Sequence, residues 1–253
     1  MCTLSIIQTP DSSGKSGYRL VHSRDEQRSR GRAYPPAWRT LEDGSRVIYP
    51  TDSDAGGTWV VGSETGVTAG VLNFQMNGKS NPHASQSRGD IPLALIEQPN
   101  LSSMLELLKE MDLSVFACFT AFGVLPTPNG VRVMIAQWDG HALFVVRDGT
   151  EEFEPVVIAS SGLGDEHVQI RVPLFGELVT NIPVGPEQAS AQDAFTNHQW
   201  ADCFEFSVLM SRKDARTVSI TTVEVEEGGL EMSYQELAEN DPAHDPVGAG
   251  MLQ

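Results

Sequence analysis

Cysteine is scarce in this chain of 253 residues: there are three, Cys2, Cys118 and Cys203, far apart and with no Cys-x-x-Cys pair. That excludes a disulfide framework and a thiolate zinc knuckle, and leads us to expect a reducing, cytoplasmic setting. No apolar run reaches the length of about 18 residues that a membrane-spanning helix needs. The opening Met1-Cys2-Thr3-Leu4-Ser5 lacks the basic-then-apolar pattern of a secretory leader. Positive charge is also short, 17 Lys and Arg against 34 Asp and Glu, for a net charge of −17. Nucleic-acid binding depends on cations that displace counterions from phosphates, so no nucleic-acid partner is expected. Dinucleotide, P-loop, serine-hydrolase and zincin signatures are all missing. The stretch Asp52-Ser53-Asp54-Ala55-Gly56-Gly57 lacks the spacing of a calcium loop, and Ser63 stands where the closing Glu would be. Six histidines are scattered without ligand spacing, so no metal is expected.

What is present is an ordinary globular composition, 40% hydrophobic and 20% charged. The charge is uneven. Residues 1–89 hold ten Lys or Arg against eight Asp or Glu, and residues 90–253 hold seven against twenty-six. With no composition break, we expect one domain over 1–238 and a loose acidic tail over 239–253. Homo-oligomerisation is left open.

Alternation and turn residues predict strands at 2–8 and 18–23 around a turn at 10–17. An irregular arginine-rich stretch, 24–39, contains Pro35-Pro36. A second hairpin follows over 58–62 and 67–74, then a long polar loop over 75–90. Asn100 is expected to cap a helix through Met111. Strands are expected at 115–122, 131–138, 143–147 and 156–159, and helices at 166–180, with Pro173 as a possible break, and at 187–198. The last strands are expected at 205–210, 217–225 and 230–234. Strands, helices, then strands, with hairpins dominating, indicates an α+β layered domain with antiparallel sheets.

Cys2 carries the clearest chemistry. Removal of Met1 ahead of a small residue would leave a thiol and a free α-amine on one residue. With reference pKa values of about 7.7–8.0 and about 8.5, that amine can serve as general base for its own side chain. Cys118 lies in an apolar strand and reads as a buried, inert thiol, as does Cys203.

Three segments then stand together: Met1-Cys2-Thr3-Leu4, Tyr18-Arg19-Leu20-Val21-His22-Ser23-Arg24-Asp25-Glu26, and Gly56-Gly57-Thr58-Trp59-Val60. With Thr68-Ala69-Gly70-Val71-Leu72-Asn73-Phe74, Ser161-Gly162-Leu163-Gly164-Asp165 and Arg216-Thr217-Val218-Ser219-Ile220, the chain resembles the NRDE family, that of transport and Golgi organization protein 2. Ser23 replaces the first Asn of the tetrad, and Asp165 stands where Asn is usual. The resemblance implies a four-layer αββα sandwich of N-terminal-nucleophile (Ntn) type, similar to penicillin V acylase and bile salt hydrolase.

It further implies a hydrolase or acyltransferase acting on a small linear amide through a Cys2 thioester, without a cofactor. Asp25 would orient the α-amine, Arg24 would lie near the thiolate or a substrate carboxylate, and Asn73 would donate to an oxyanion. Asp165, Arg216 and Trp59 are expected on the substrate side, although Trp59 and Phe74 also read as core. In the acylases the Arg precedes the Asp by three residues, whereas here they are neighbours. Neighbours on a strand face opposite ways, so both can face Cys2 only if the strand ends or bulges there. The family also implies an alternative, a binding or carrier protein for haem or lipid with a role in secretory-pathway organisation. No Cys-Pro haem motif or axial His is evident in the chain.

Overall fold

A computed structural model describes residues 2–10, 16–75, 84–226 and 229–238. Strands β1 (Cys2–Pro10) and β2 (Ser16–Gln27) form the expected hairpin, and its turn at 11–15 lies outside the described residues. Next come β3 (Tyr34–Thr40), β4 (Arg46–Thr51), β5 (Val60–Ser63) and β6 (Thr68–Asn73). Helices α1 (Asp90–Ile96) and α2 (Leu101–Glu110) precede β7 (Phe119–Thr127), β8 (Gly130–Trp138), β9 (Leu143–Asp148) and β10 (Val156–Ser160). Helix α3 (Arg171–Phe175) runs into a π-helical turn, Gly176–Thr180, and α4 (Pro186–Thr196) leads to β11 (Ala215–Glu226) and β12 (Gly229–Glu236).

Two antiparallel sheets result. One has seven strands in simple chain order, β3 to β9; the other has five, ordered β10-β1-β2-β11-β12. Leu4, Ile6, Tyr18 and Leu20 of the five-stranded sheet pack against Val60, Leu72, Phe122 and Val133 of the other to make the central core. Ile91, Leu95, Met104 and Leu108 of α1 and α2 cover the outer face of the seven-stranded sheet. Phe175, Val179 and Phe195 cover the opposite outer face against Ile7. The layers therefore run α, β, β, α. This is the expected α+β sandwich. The layering follows from period-two burial: alternate residues of β1 serve the inner core and the helix layer.

Several elements depart from the sequence expectations. The stretch 24–39 is mostly strand. β2 continues through Gln27, and Pro35-Pro36 lie within β3, an edge strand where a missing N–H costs no ladder bond. Pairing with β4, itself not foreseen, shifts register between Tyr34 and Ala37. Asn100 caps α2 by accepting from Ser103 N–H, as expected. Helix α1 is not among the expected helices, because its first residue falls at the end of the polar loop. Residues 76–83 of that loop, like the tail 239–253, lie outside the described residues. Leu113–Val115 is a 3-10 turn, so β7 starts only at Phe119.

Asp165–Val168 is likewise a 3-10 turn, and Pro173 sits in the first turn of α3, where it breaks nothing. The strand expected at 205–210 is absent. Phe204–Phe206 is a 3-10 turn, and Val208, Leu209 and Met210 are buried in succession. Their N–H and C=O groups bond irregular partners, Leu209 N–H to His198 O and Met210 O to Thr217 N–H. An apolar run signals burial, and burial does not require a ladder.

Candidate active site

Cys2 is the first residue of β1, flanked in the sheet by Arg24 of β2 and Ser160 of β10. Its N–H donates to Ser160 Oγ at 3.1 Å. Its side chain belongs to the inner core and meets a cavity of about 320 Å³ between the sheets. Arg24, Asp25, Trp59 and Asn73 line the same cavity, so five of the seven site residues expected from sequence come together.

Arg24 shares Cys2's face of the sheet. Its guanidinium lies 4.7 Å from the Trp59 ring centroid and pairs with Asp52 at 2.6 Å. Asp52 also takes two hydrogen bonds from Arg30, each 3.0 Å, and the N–H groups of Asp54 and Ala55. Burial alone would raise the Asp52 pKa, but the bonds from Arg30 and Ala55 and the positive charges of both arginines outweigh it and hold the carboxyl below its ordinary value. The acidic stretch with a superficial likeness to a calcium loop therefore serves as an arginine clamp.

Asp25 points the other way. β2 neither ends nor bulges at Arg24, so the condition for both to face Cys2 is not met; the register shift lies on the partner strand, between Thr217 and Ser219 of β11. Asp25 thus reaches into the helix-side layer and is 1% exposed. Its Oδ1 accepts from Thr217 Oγ1 at 2.7 Å. Its Oδ2 has no hydrogen-bond donor among the described residues and stands 3.7 Å from Arg171 Nη1. Arg171, itself 1% exposed, is held by Phe206 O and Thr3 Oγ1. Burial raises the Asp25 pKa, opposed by Arg171, the chain terminus and Thr217. Burial likewise pushes the Cys2 thiol up; the chain terminus and Arg24 pull it back, as does the Asp25 N–H, while the Asp25 charge opposes them.

The family model described as Transport and Golgi organisation 2 matches residues 1–137, which carry all of Cys2, Arg24, Asp25, Trp59 and Asn73. The chain belongs to this family. Among solved structures, the chain is similar to a mutant of conjugated bile acid hydrolase from Clostridium perfringens in which alanine replaces a cysteine, at 12% identity and TM-score 0.45, covering 95% of this chain and 94% of that one. It is also similar to a Caenorhabditis elegans ortholog of N-acylethanolamine-hydrolyzing acid amidase, at 9% identity and TM-score 0.47, covering 87% and 91%. A second variant of the Clostridium hydrolase, with leucine in place of an arginine, aligns at 11% identity and TM-score 0.40, covering 94% and 93%. A sequence search of curated proteins gives no match.

The remaining expected residues of this Transport and Golgi organisation 2 family member stand apart from the thiol. Asp165 accepts from the N–H groups of Gln75 (2.9 Å) and Ser161 (2.7 Å), and its own N–H donates to Gln75 O. It ties the segment after Asn73 to the segment after β10 and does not line the cavity. Arg216 donates to the carbonyls of Leu237 and Ala238 and lines a smaller neighbouring cavity of about 70 Å³. Trp59 is both core and lining; its Nε1 donates to Thr221 Oγ1 of the opposite sheet at 3.3 Å. Cys118 is buried and Cys203 half-buried.

Sequence reasoning gave no site role to Glu26, Asp52 and Arg88, which line the cavity, or to Arg171 behind it. The Asp-x-Asp spacing at Asp52 and the length of the loop ending near Arg88 were visible signals, but neither points to a thiol some fifty or more residues away in sequence. Among the described residues, no group of three or more His, Cys, Asp or Glu could hold a metal ion. No helix in the described residues is long and apolar enough to cross a membrane.

Proposed function

We propose that this protein is a cysteine amidohydrolase or acyltransferase of N-terminal-nucleophile type, acting on small linear amides in a reducing, cytoplasmic compartment after loss of Met1. One observation carries the reading: the start of β1 joins a thiol facing a cavity to a buried carboxylate oxygen, Asp25 Oδ2, that lacks a donor among the described residues. A buried carboxylate oxygen without a partner is costly. An α-ammonium on Cys2 would supply the missing donor.

The chemistry follows from these groups. The α-amine takes the thiol proton as Sγ attacks the amide carbon. Asn73 donates to the oxygen as charge develops there. Collapse breaks the C–N bond, and the α-ammonium protonates the departing amine. The resulting thioester is attacked by water, or by another amine, with the α-amine again as base, and the thiol is regenerated. Amide and water thus become acid and amine. Ser160 Oγ, already bonded to Cys2 N, fixes the amine's direction.

Intact mass of natively expressed protein, together with turnover of an acyl-amide panel, tests the proposal. Loss of Met1 and turnover that disappears in Cys2→Ala are expected. Met1 retained in functional protein, or unchanged turnover in Cys2→Ala, would overturn it and leave a binding role for the same cavity.

A further inference from the structure

Six charged residues line the cavity beside Cys2: Arg24, Asp25, Glu26, Arg30, Asp52 and Arg88. Five are internally compensated. Arg24 and Arg30 share the Asp52 carboxylate and lie 3.6 and 3.7 Å from Glu26. Asp25 faces Arg171 on the far side of the sheet. Arg88 alone has no ion pair with a carboxylate among the described residues. Its one hydrogen bond there is from Nη1 to Cys118 O at 2.9 Å. Five N–H donors on a guanidinium leave most of this group unused.

The group is also held firmly. Ser85 and Gln86 donate to Val115 O, and Thr58 N–H donates to Gly89 O at 3.0 Å. Gly57 and Gly89 press backbone to backbone, and a Cβ on either would meet the other's atoms at 2.7 to 2.9 Å. Only glycine allows this approach. It locks the Arg88 loop to the segment leading into Trp59. Burial lowers the Arg88 pKa, partly offset by negative charge at Cys2, Cys118 and the more distant Glu26, yet an arginine remains charged in such surroundings. A half-buried guanidinium with no ion pair among the described residues is a group that an incoming anion would complete.

We infer that Arg88 is a specificity residue that receives a carboxylate on the substrate, so that the preferred amide is anionic. This rests on the hydrolase reading above for the word substrate. It assigns the carboxylate to Arg88 and not to Arg24, whose charge Asp52 already neutralises. A guanidinium fork grips carboxylate in a fixed plane. That would set the scissile carbon relative to Cys2 Sγ.

The test uses matched pairs: N-hexanoylglycine against N-hexanoylglycinamide, with the carboxylate on the amine side, and N-hexylsuccinamate against N-hexylsuccinamide, with it on the acyl side. Wild type should favour the acid of one pair, which identifies the side. Arg88→Gln should raise KM for that acid about 10- to 100-fold, the range for a lost charge-assisted hydrogen bond, and leave the neutral amide unchanged. Arg88→Lys should recover part of the preference. Equal losses on acid and amide, or a preference that survives Arg88→Gln, would overturn the assignment. Equilibrium binding of the same four compounds to Cys2→Ala protein separates the two readings. Selective binding of an acid, lost in the Cys2→Ala, Arg88→Gln double variant, sustains the Arg88 site even if wild type turns nothing over. No selective binding of either acid sinks it.

Discussion

The two faces of β1 and β2 differ more than their shared hydrogen bonds suggest. The inner face runs Leu4, Ile6, Tyr18 and Leu20, apolar apart from one phenol, then His22, and ends at Cys2 and Arg24 where the cavity opens. The outer face carries Thr3, Ser5, Arg19 and Asp25, all buried and joined to the helix layer by polar contacts: Thr3 and Asp25 to Arg171, and Ser5 and Arg19 to Gln192. The inner face stabilises by removing apolar surface from water. The outer face holds charge where burial penalises it, and its polar contacts only partly compensate. The two faces meet at the strand end, where Cys2 opens on the charged cavity and the Asp25 carboxyl lies buried behind it.

The sharpest way to break this comparison is at the thiol. Cys2→Ala should reduce turnover by about 10³-fold or more, as loss of a nucleophile does. Its melting temperature should stay within a few degrees of wild type, because a strand-end Sγ is small. Differential scanning calorimetry alongside the turnover assay reads both.

Asp25→Asn tests the outer face. Turnover should fall about 10²-fold or more, since the amine loses its orienting charge. Stability should change in the opposite sense. Burial raises the folded-state pKa of Asp25 above its unfolded value, so its stabilising contribution is full below the unfolded pKa and is lost as pH rises through the folded one. At neutral pH the neutral amide should therefore melt higher than wild type, and the two should converge near pH 4. Melting curves across that window decide it.

His22 on the inner face should titrate in the other direction. Burial, with help from the chain terminus and Arg24, lowers its pKa to about 3, and neither ring nitrogen has a hydrogen-bond partner among the described residues. The unfolded state then binds the extra proton between about pH 6.5 and 3, so the stability that neutral His22 confers is present above that window and fades as pH falls through it. Between pH 7 and 4 this is worth about 3 kcal/mol. His22→Leu should flatten the acid limb of the stability curve measured by urea unfolding; an unchanged slope would assign that limb to other groups.

The smallest effect is expected at Arg19, which pairs with Asp193 at 2.6 Å and Glu224 at 3.0 Å. Both partners are more than half exposed, so Arg19→Ala should cost only about 1 kcal/mol at low salt and less at high salt. Unfolding midpoints at two ionic strengths measure it.

The seven-stranded sheet was largely legible because each of its strands pairs with the next one along the chain. Hairpin turns and period-two burial are local signals, and they located β5, β6, β8 and β9. β3 escaped because Pro35-Pro36 speaks against a strand everywhere except at an edge, and edge position is not a local property. All five strands of the other sheet were expected too, but not their order, which sets Ser160 beside Cys2 and Thr217 beside Asp25 across long stretches of chain.

By itself the sequence determined the α+β class and the family, and it singled out Cys2, Arg24, Asp25, Trp59 and Asn73, which line one cavity, because side-chain chemistry and strand periodicity are written residue by residue. Only the tertiary structure decided how those groups are used. It turned Arg24 toward the thiol and Asp25 away from it, spent Asp52 on two arginines, set Arg171 behind the strand, and left Arg88 without a carboxylate partner among the described residues. Those outcomes depend on which charges meet across long stretches of chain in a low-dielectric interior, and no local pattern encodes such a meeting.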